Sequence, residues 1–171
     1  MDNRWTLTIS GTGAMQNYKL LSSVPWENYK EDVTKIIIEE GVTNIGSNSF
    51  LGFKFLESVT IPNTITDIGA SAFKECTSLI SLDIPNSVVS IGKDAFRQCS
   101  RLTTLSIGKS VSKIGGTVIF ECDNLKTITC HSPTPPEVST KFLNETFLGA
   151  AVEKCTIIVP EACKTAYIQT K

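Results

Sequence analysis

The stretch Cys76-Thr77-Ser78-Leu79-Ile80-Ser81-Leu82-Asp83-Ile84-Pro85-Asn86-Ser87-Val88-Val89-Ser90-Ile91-Gly92-Lys93-Asp94-Ala95-Phe96-Arg97-Gln98-Cys99 holds one complete structural unit. Leu82 and Ile84 alternate with Ser81 and Asp83, the period-2 pattern of a half-buried strand. Pro85 stops that strand, because proline has no N–H to give to a ladder. Val88 to Ile91 forms a second short extended piece. Gly92 after it reads as a turn residue that takes positive φ. Asp94 to Cys99 is long enough for about one helical turn, with Phe96 and Cys99 three apart on one face.

Working outward, the unit recurs at a step of 23 residues. Ile-Gly stands at Ile45-Gly46, Ile68-Gly69, Ile91-Gly92 and Ile114-Gly115. Phe50, Phe73 and Phe96 keep the step, with Ile119 in the fourth place. So do Leu56/Leu79/Leu102/Leu125, Val59/Leu82/Leu105/Ile128, Ile61/Ile84/Ile107/Cys130 and Val42/Ile65/Val88/Val111. Val33, Ile36 and Ile38 extend three of these columns backwards. A fixed step of this length is the mark of a solenoid: one coil cannot bury its apolar side, and stacking closes the core. The expected fold is a mainly β (or α/β) repeat solenoid of about four 23-residue units, with a parallel sheet and short helical turns. Its inward columns are those of Val59, Ile61 and Phe50. The fourth unit carries Val118, Ile119 and Phe120 where Ala-Phe is expected, which predicts a differently packed turn.

Composition agrees and excludes several functions. Ile, Val and Thr supply 18, 11 and 20 of the 171 residues, which favours strands. Sixteen Lys and Arg against 17 Asp and Glu leave a net charge of −1, which argues against a nucleic-acid footprint. No apolar run is long enough to span a bilayer as a helix, and the start of the chain does not read as a signal peptide.

These repeats resemble the BspA-like, or Treponema pallidum type, leucine-rich repeats. Leu7 to Met15 with Pro25-Trp26 resembles the lead-in of bacterial members, and Thr156 to Pro160 with Ala166-Tyr167 their terminal unit. The resemblance implies a right-handed coil and a secreted or cell-surface protein of a host-associated, Bacteroides-type bacterium. It implies adhesion to host matrix or cells, with a signal peptide already removed. It is specific for fold and weak for function.

Residues 1–32 read as an N-terminal cap, 33–131 as the repeats, and 132–171 as an irregular final repeat and C-terminal cap. The cap holds Trp5, Tyr18, Trp26 and Tyr29, read as a cover for the first coil or as an aromatic sugar-binding patch. Phe142 and Phe147 compete for one core place in the last repeat. Cys76, Cys99 and Cys122 share a column with Phe53 and read as reduced core thiols, since zinc knuckles have other spacings. Cys130 and His131 are adjacent on a strand and point to opposite sides, so they form no nucleophilic pair. Glu39-Glu40 reads as a solvated turn, and the glycosylation sequon Asn144-Glu145-Thr146 carries no weight in a bacterial protein. No cofactor, metal or catalytic site is expected.

What remains is the outward face of the main sheet: Lys35, Ser58, Ser81, Thr104 and Thr127 in one column, and Thr60, Asp83, Ser106 and Thr129, after Ile37, in the next. Two readings stand. Short hydroxylated residues suit an exposed sheet, or they present donors and acceptors to a partner. The expected function is a monomeric, non-catalytic surface module for protein interaction. The alternatives are a carbohydrate-binding module using the N-terminal aromatics and a structural spacer.

Overall fold

A computed structural model describes residues 5–19, 24–138 and 155–164. Its strands are β1 (Trp5–Ile9), β2 (Gly13–Ala14), β3 (Val33–Ile38), β4 (Val42–Ile45), β5 (Ser58–Thr60), β6 (Asp67–Ile68), β7 (Ser81–Ile84), β8 (Ser90–Ile91), β9 (Thr104–Ile107), β10 (Lys113–Ile114), β11 (Thr127–Cys130), β12 (Glu137–Val138) and β13 (Thr156–Ile158). Each coil contributes one strand to a main face and one to a second face, and every pairing is parallel. The repeat register holds in space: Ser81 faces Thr104, and Thr104 faces Thr127. Thr6 faces Lys35 and Thr127 faces Thr156, so the first and last coils are 29 residues long in place of 23.

The second face is one six-stranded sheet, β2-β4-β6-β8-β10-β12. The main face, expected as a single sheet, is two: β1-β3-β5 and β7-β9-β11-β13. The break falls where the column under the turns passes from Phe53 to Cys76. Val59 and Ile61 at the break are only half-buried, whereas Leu82, Leu105, Ile128, Ile84 and Ile107 are buried.

The core runs the length of the stack as columns. Phe50, Phe73 and Phe96 are fully buried, with centroids 5.2 and 6.1 Å apart. Trp26 adds a fourth ring, 5.6 Å from Phe50 and tilted by 24°, and its Nε1 donates to the Ser49 carbonyl at 2.7 Å. Ile119 closes the column and is buried.

The turns are short and closed by i+3 to i hydrogen bonds, such as Arg97 N–H to Asp94 O and Cys99 N–H to Phe96 O. Two left-handed positions stop each from growing into a helix. Asn48, Ser71, Asp94 and Thr117 have φ of 53–58°, and Gly52, Glu75, Gln98 and Glu121 have φ of 62–77°. Left-handed geometry turns alternate N–H groups along the stack. Asp94, Phe96 and Gln98 donate to the carbonyls of Gly116, Val118 and Phe120 in the next coil. The fourth unit, expected to pack differently, keeps the same turn bonds at Phe120 and Cys122. Val118 and Ile119 fill the Ala and Phe places, and Phe120 lies outside beneath Arg97, 5.0 Å away.

Gly92 is also corrected. Neither it nor Gly46, Gly69 or Gly115 has positive φ. The reason for glycine there is contact: a Cβ on Gly92 would lie 2.5 Å from the backbone nitrogen of Ala70. The left-handed positions are the polar residues above, which nothing in the unit's pattern announced.

Cys76, Cys99 and Cys122 are free and buried, as the spacing suggested. Each thiol points at the carbonyl of the phenylalanine one coil before: Phe50, Phe73 and Phe96, at 3.3, 3.3 and 3.1 Å. Burial pushes the Cys76 thiol up. The Cys122 thiol beside it, and burial, push Cys99 up. These two thiols therefore stay protonated in the folded protein where an unfolded chain would ionise them. Their contribution to stability is full below about pH 8.5 and is lost as pH rises above it. The expected result is no reaction of Cys76, Cys99 or Cys122 with a disulfide reagent at pH 8 before unfolding. Rapid labelling of native protein at any of the three, located by mass spectrometry, would contradict this packing.

Candidate functional site: the hydroxylated sheet face

Strand alternation sends Leu and Ile inward and leaves the intervening residues to solvent. Lys35, Ser58, Thr60, Ser81, Asp83 and Thr104 are exposed, and Ser106, Thr127 and Thr129 are half-buried. The register sets them in two adjacent columns, with coils about 4.8 Å apart. The break divides them: Lys35, Ser58 and Thr60 lie on one sheet and the other six on the next. Thr6 and Thr8, both exposed, and Thr156 extend the columns at the two ends. The alternation Thr6-Leu7-Thr8 was the signal for the first pair, but the longer end coil takes it off the 23-residue step.

The two faces use their hydroxyls differently. On the second face Thr66 Oγ1 donates to the Thr43 carbonyl or to Asp67, and Ser90 Oγ donates to Asp67. On the main face Ser58, Thr60, Ser81, Thr104, Thr127 and Thr129 make no side-chain hydrogen bond among the described residues. Ser106 alone does, with its Oγ 3.4 Å from His131 Nε2. No ion pair is formed by Lys35 or Asp83 among the described residues.

Beside this face, where the strands turn, a groove of about 540 Å³ crosses several coils. Asp83 and Ser106 lie on the sheet side of it, and Asn63, Asn86, Lys109 and His131 are the other polar residues of its lining.

The N-terminal aromatics divide between the two readings. Tyr18 is buried and packs edge-on to Trp26, 5.9 Å away, so this pair covers the first coil. Trp5 and Tyr29 stack on each other at 6.0 Å and remain nearly half exposed. Cys130 is buried and His131 exposed, so the two side chains part as the alternation requires. Glu39 and Glu40 are both exposed. No group of three His, Cys, Asp or Glu among the described residues can hold a metal ion. Phe142, Phe147 and Asn144 lie outside the described residues.

Residues 27–149 match the family model for the BspA type leucine rich repeat region, in six copies. The chain belongs to the BspA-type leucine-rich repeat family. Among solved structures, a leucine-rich repeat protein of Treponema pallidum shares 18% identity, covering 98% of this chain and 88% of that one, with a TM-score of 0.63. One from Eubacterium ventriosum is 25% identical over 79% of this chain, with a TM-score of 0.56. One from Bacteroides ovatus is 24% identical over 77%, with a TM-score of 0.58. The chain spans 40% and 35% of the length of these last two proteins. No curated protein matches the sequence. As a BspA-type solenoid, the chain is a repeat scaffold. No helix among the described residues is long and apolar enough to cross a membrane.

Proposed function

We propose that this BspA-type module is secreted or displayed at the surface of a Bacteroides-type bacterium, and acts there as a monomeric adhesive unit. Its main sheet face binds a protein of the host matrix or cell surface. Residues 33–131 form the binding block, and residues 1–32 and 132–171 close its two ends. The observation that supports this reading is the row of main-face hydroxyls that bond no other described residue, where Thr66 and Ser90 on the second face bond their neighbours. The binding residues are Lys35, Ser58, Thr60, Ser81, Asp83, Thr104, Ser106, Thr127 and Thr129. Recognition there rests on shape and hydrogen bonding, because the face carries one cation and one anion in its two columns.

The test is the double variant Ser81→Arg/Thr104→Arg, on adjacent strands at paired positions. Long charged side chains at the centre of an interface block docking, while the exposed positions leave folding unchanged. Affinity capture from host-cell surface material is expected to fall at least tenfold with an unaltered melting curve. Capture at the level of the parent chain would remove this face from consideration.

A further inference from the structure

The N-terminal cap uses two of its four aromatic rings. Tyr18 is buried, and Trp26 packs against the core cluster as Leu7 and Met15 do. Trp5 and Tyr29 take no part in that cluster. They stack on each other with a tilt of 24° and centroids 6.0 Å apart. Each ring has one face against its partner, so the nearly half of its surface that is exposed lies on its outer face and rim. The β1–β3 register slips between Trp5 and Thr6, and a bulge of this kind re-aims the side chain beside it.

Asp32 is tied by its backbone to both ring-bearing residues. Its N–H donates to the Tyr29 carbonyl at 3.0 Å, and its carbonyl accepts from the Trp5 N–H at 3.3 Å. The Asp32 side chain is exposed and forms no ion pair or hydrogen bond among the described residues. Glu31 beside it, also exposed, adds a second negative charge. Lys30 is held by Glu27, and Lys35 stands opposite Thr6 on the main face.

Two properties of this corner define its ligand. The first is the kind of polar group. Carboxylates offer only acceptors. A sugar donates and accepts around its rim and leaves half of its groups unanswered there. An apolar side chain would strip water from a carboxylate and give nothing back. A cation is drawn both to the ring face and to the carboxylate. The second property is shape. The outer ring faces are flat, and a guanidinium is a flat cation that stacks on aromatic faces and presents its N–H fork to a carboxylate. A lysine ammonium is a compact, strongly hydrated point charge, and a quaternary ammonium has no N–H to give.

We propose that Trp5, Tyr29 and Asp32 form a docking site for an arginine side chain of a protein partner, with the guanidinium on an outer ring face and its N–H groups donating to the Asp32 carboxylate. The site lies at the N-terminal end of the main face, whose columns Thr6 continues, but it does not rest on the reading of that face. Capture through the sheet can fail while an arginine peptide binds here, and the converse also holds.

The experiment titrates the full, isotope-labelled chain with a capped pentapeptide carrying arginine at its second and fourth positions. The indole N–H signals of Trp5 and Trp26 are followed by NMR and told apart with Trp5→Phe. The expected result is a saturable shift of the Trp5 signal with the Trp26 signal unmoved. Binding is expected to weaken at least threefold when lysine replaces arginine in the peptide, and at least tenfold with neutral citrulline. Tyr29→Leu and Asp32→Asn are each expected to weaken it at least fivefold. Asp32→Asn keeps the side-chain shape and the backbone bonds, so its melting curve should match the parent chain and it tests the site even if a ring variant unfolds. Absence of a saturable Trp5 shift overturns the proposal, as does a lysine or citrulline peptide that binds as tightly, or undiminished binding by Asp32→Asn. A stronger response of the Trp5 signal to a neutral oligosaccharide or to tetramethylammonium than to the arginine peptide assigns the rings to another ligand and also overturns it.

Discussion

Phe73→Ala is expected to lower the unfolding free energy by about 3–5 kcal/mol. Phe73 is fully buried between Phe50 and Phe96 in the ring column. Removing it empties a space that neighbouring coils cannot fill, because they are held in register by the second-face ladder and by the turn hydrogen bonds. In a solenoid each coil contacts only its neighbours, so the lesion weakens two interfaces at once. A whole domain has about 5–15 kcal/mol in hand, so the variant sits near the edge of folding. Equilibrium urea unfolding followed by circular dichroism measures the effect. A loss below about 1.5 kcal/mol would mean that the rings do not form a shared core.

Gly92→Val should be comparably damaging for a different reason. Its Cβ would lie 2.5 Å from the Ala70 nitrogen and 2.7 Å from the Gly69 carbonyl carbon. Both are backbone atoms of the adjacent coil, so no side-chain rotation relieves the clash, and the coils must separate. Overpacking usually costs about 1–3 kcal/mol, and more where the obstacle is rigid. The expected loss is at or above the top of that range. Gly52→Ala is the informative comparison. It has open space but φ of +77°, so it is expected to lose only the left-handed penalty of about 1–2 kcal/mol. Thermal melts of the two variants separate contact from conformation. Equal losses would return Gly92 to the role of an ordinary turn residue.

The difference between these glycines shows where the sequence stops being legible. Both stand at fixed places in a repeat, and a repeat marks a constraint without saying which one. The left-handed columns are harder still. Asn48, Ser71, Asp94 and Thr117 share a backbone conformation but no side-chain type beyond polarity, and Gly52 is the only glycine in the other column. What holds them is the ladder to the next coil, which is a property of the stack and not of the unit.

The candidate face was legible as far as its columns. Alternation and the 23-residue step placed all nine residues outward, because those two periodicities are covalent facts about a pleated strand in a regular coil. The unused hydroxyls could not be read in the same way. Thr66 and Thr104 are the same residue type on outward strand flanks, and only the neighbouring coil decides which has a carbonyl in reach.

From the sequence alone came the solenoid, its step, its apolar columns and the burial of three thiols, since repeated spacing of apolar residues fixes which side of each coil must face the core. The tertiary structure decided the break in the main sheet, the close contact at each Ile-Gly and the extra ring that Trp26 adds to the core. Each of these depends on distances between atoms of different coils. Those distances are set by how the side chains and backbones of neighbouring coils share space, and no single coil contains that information.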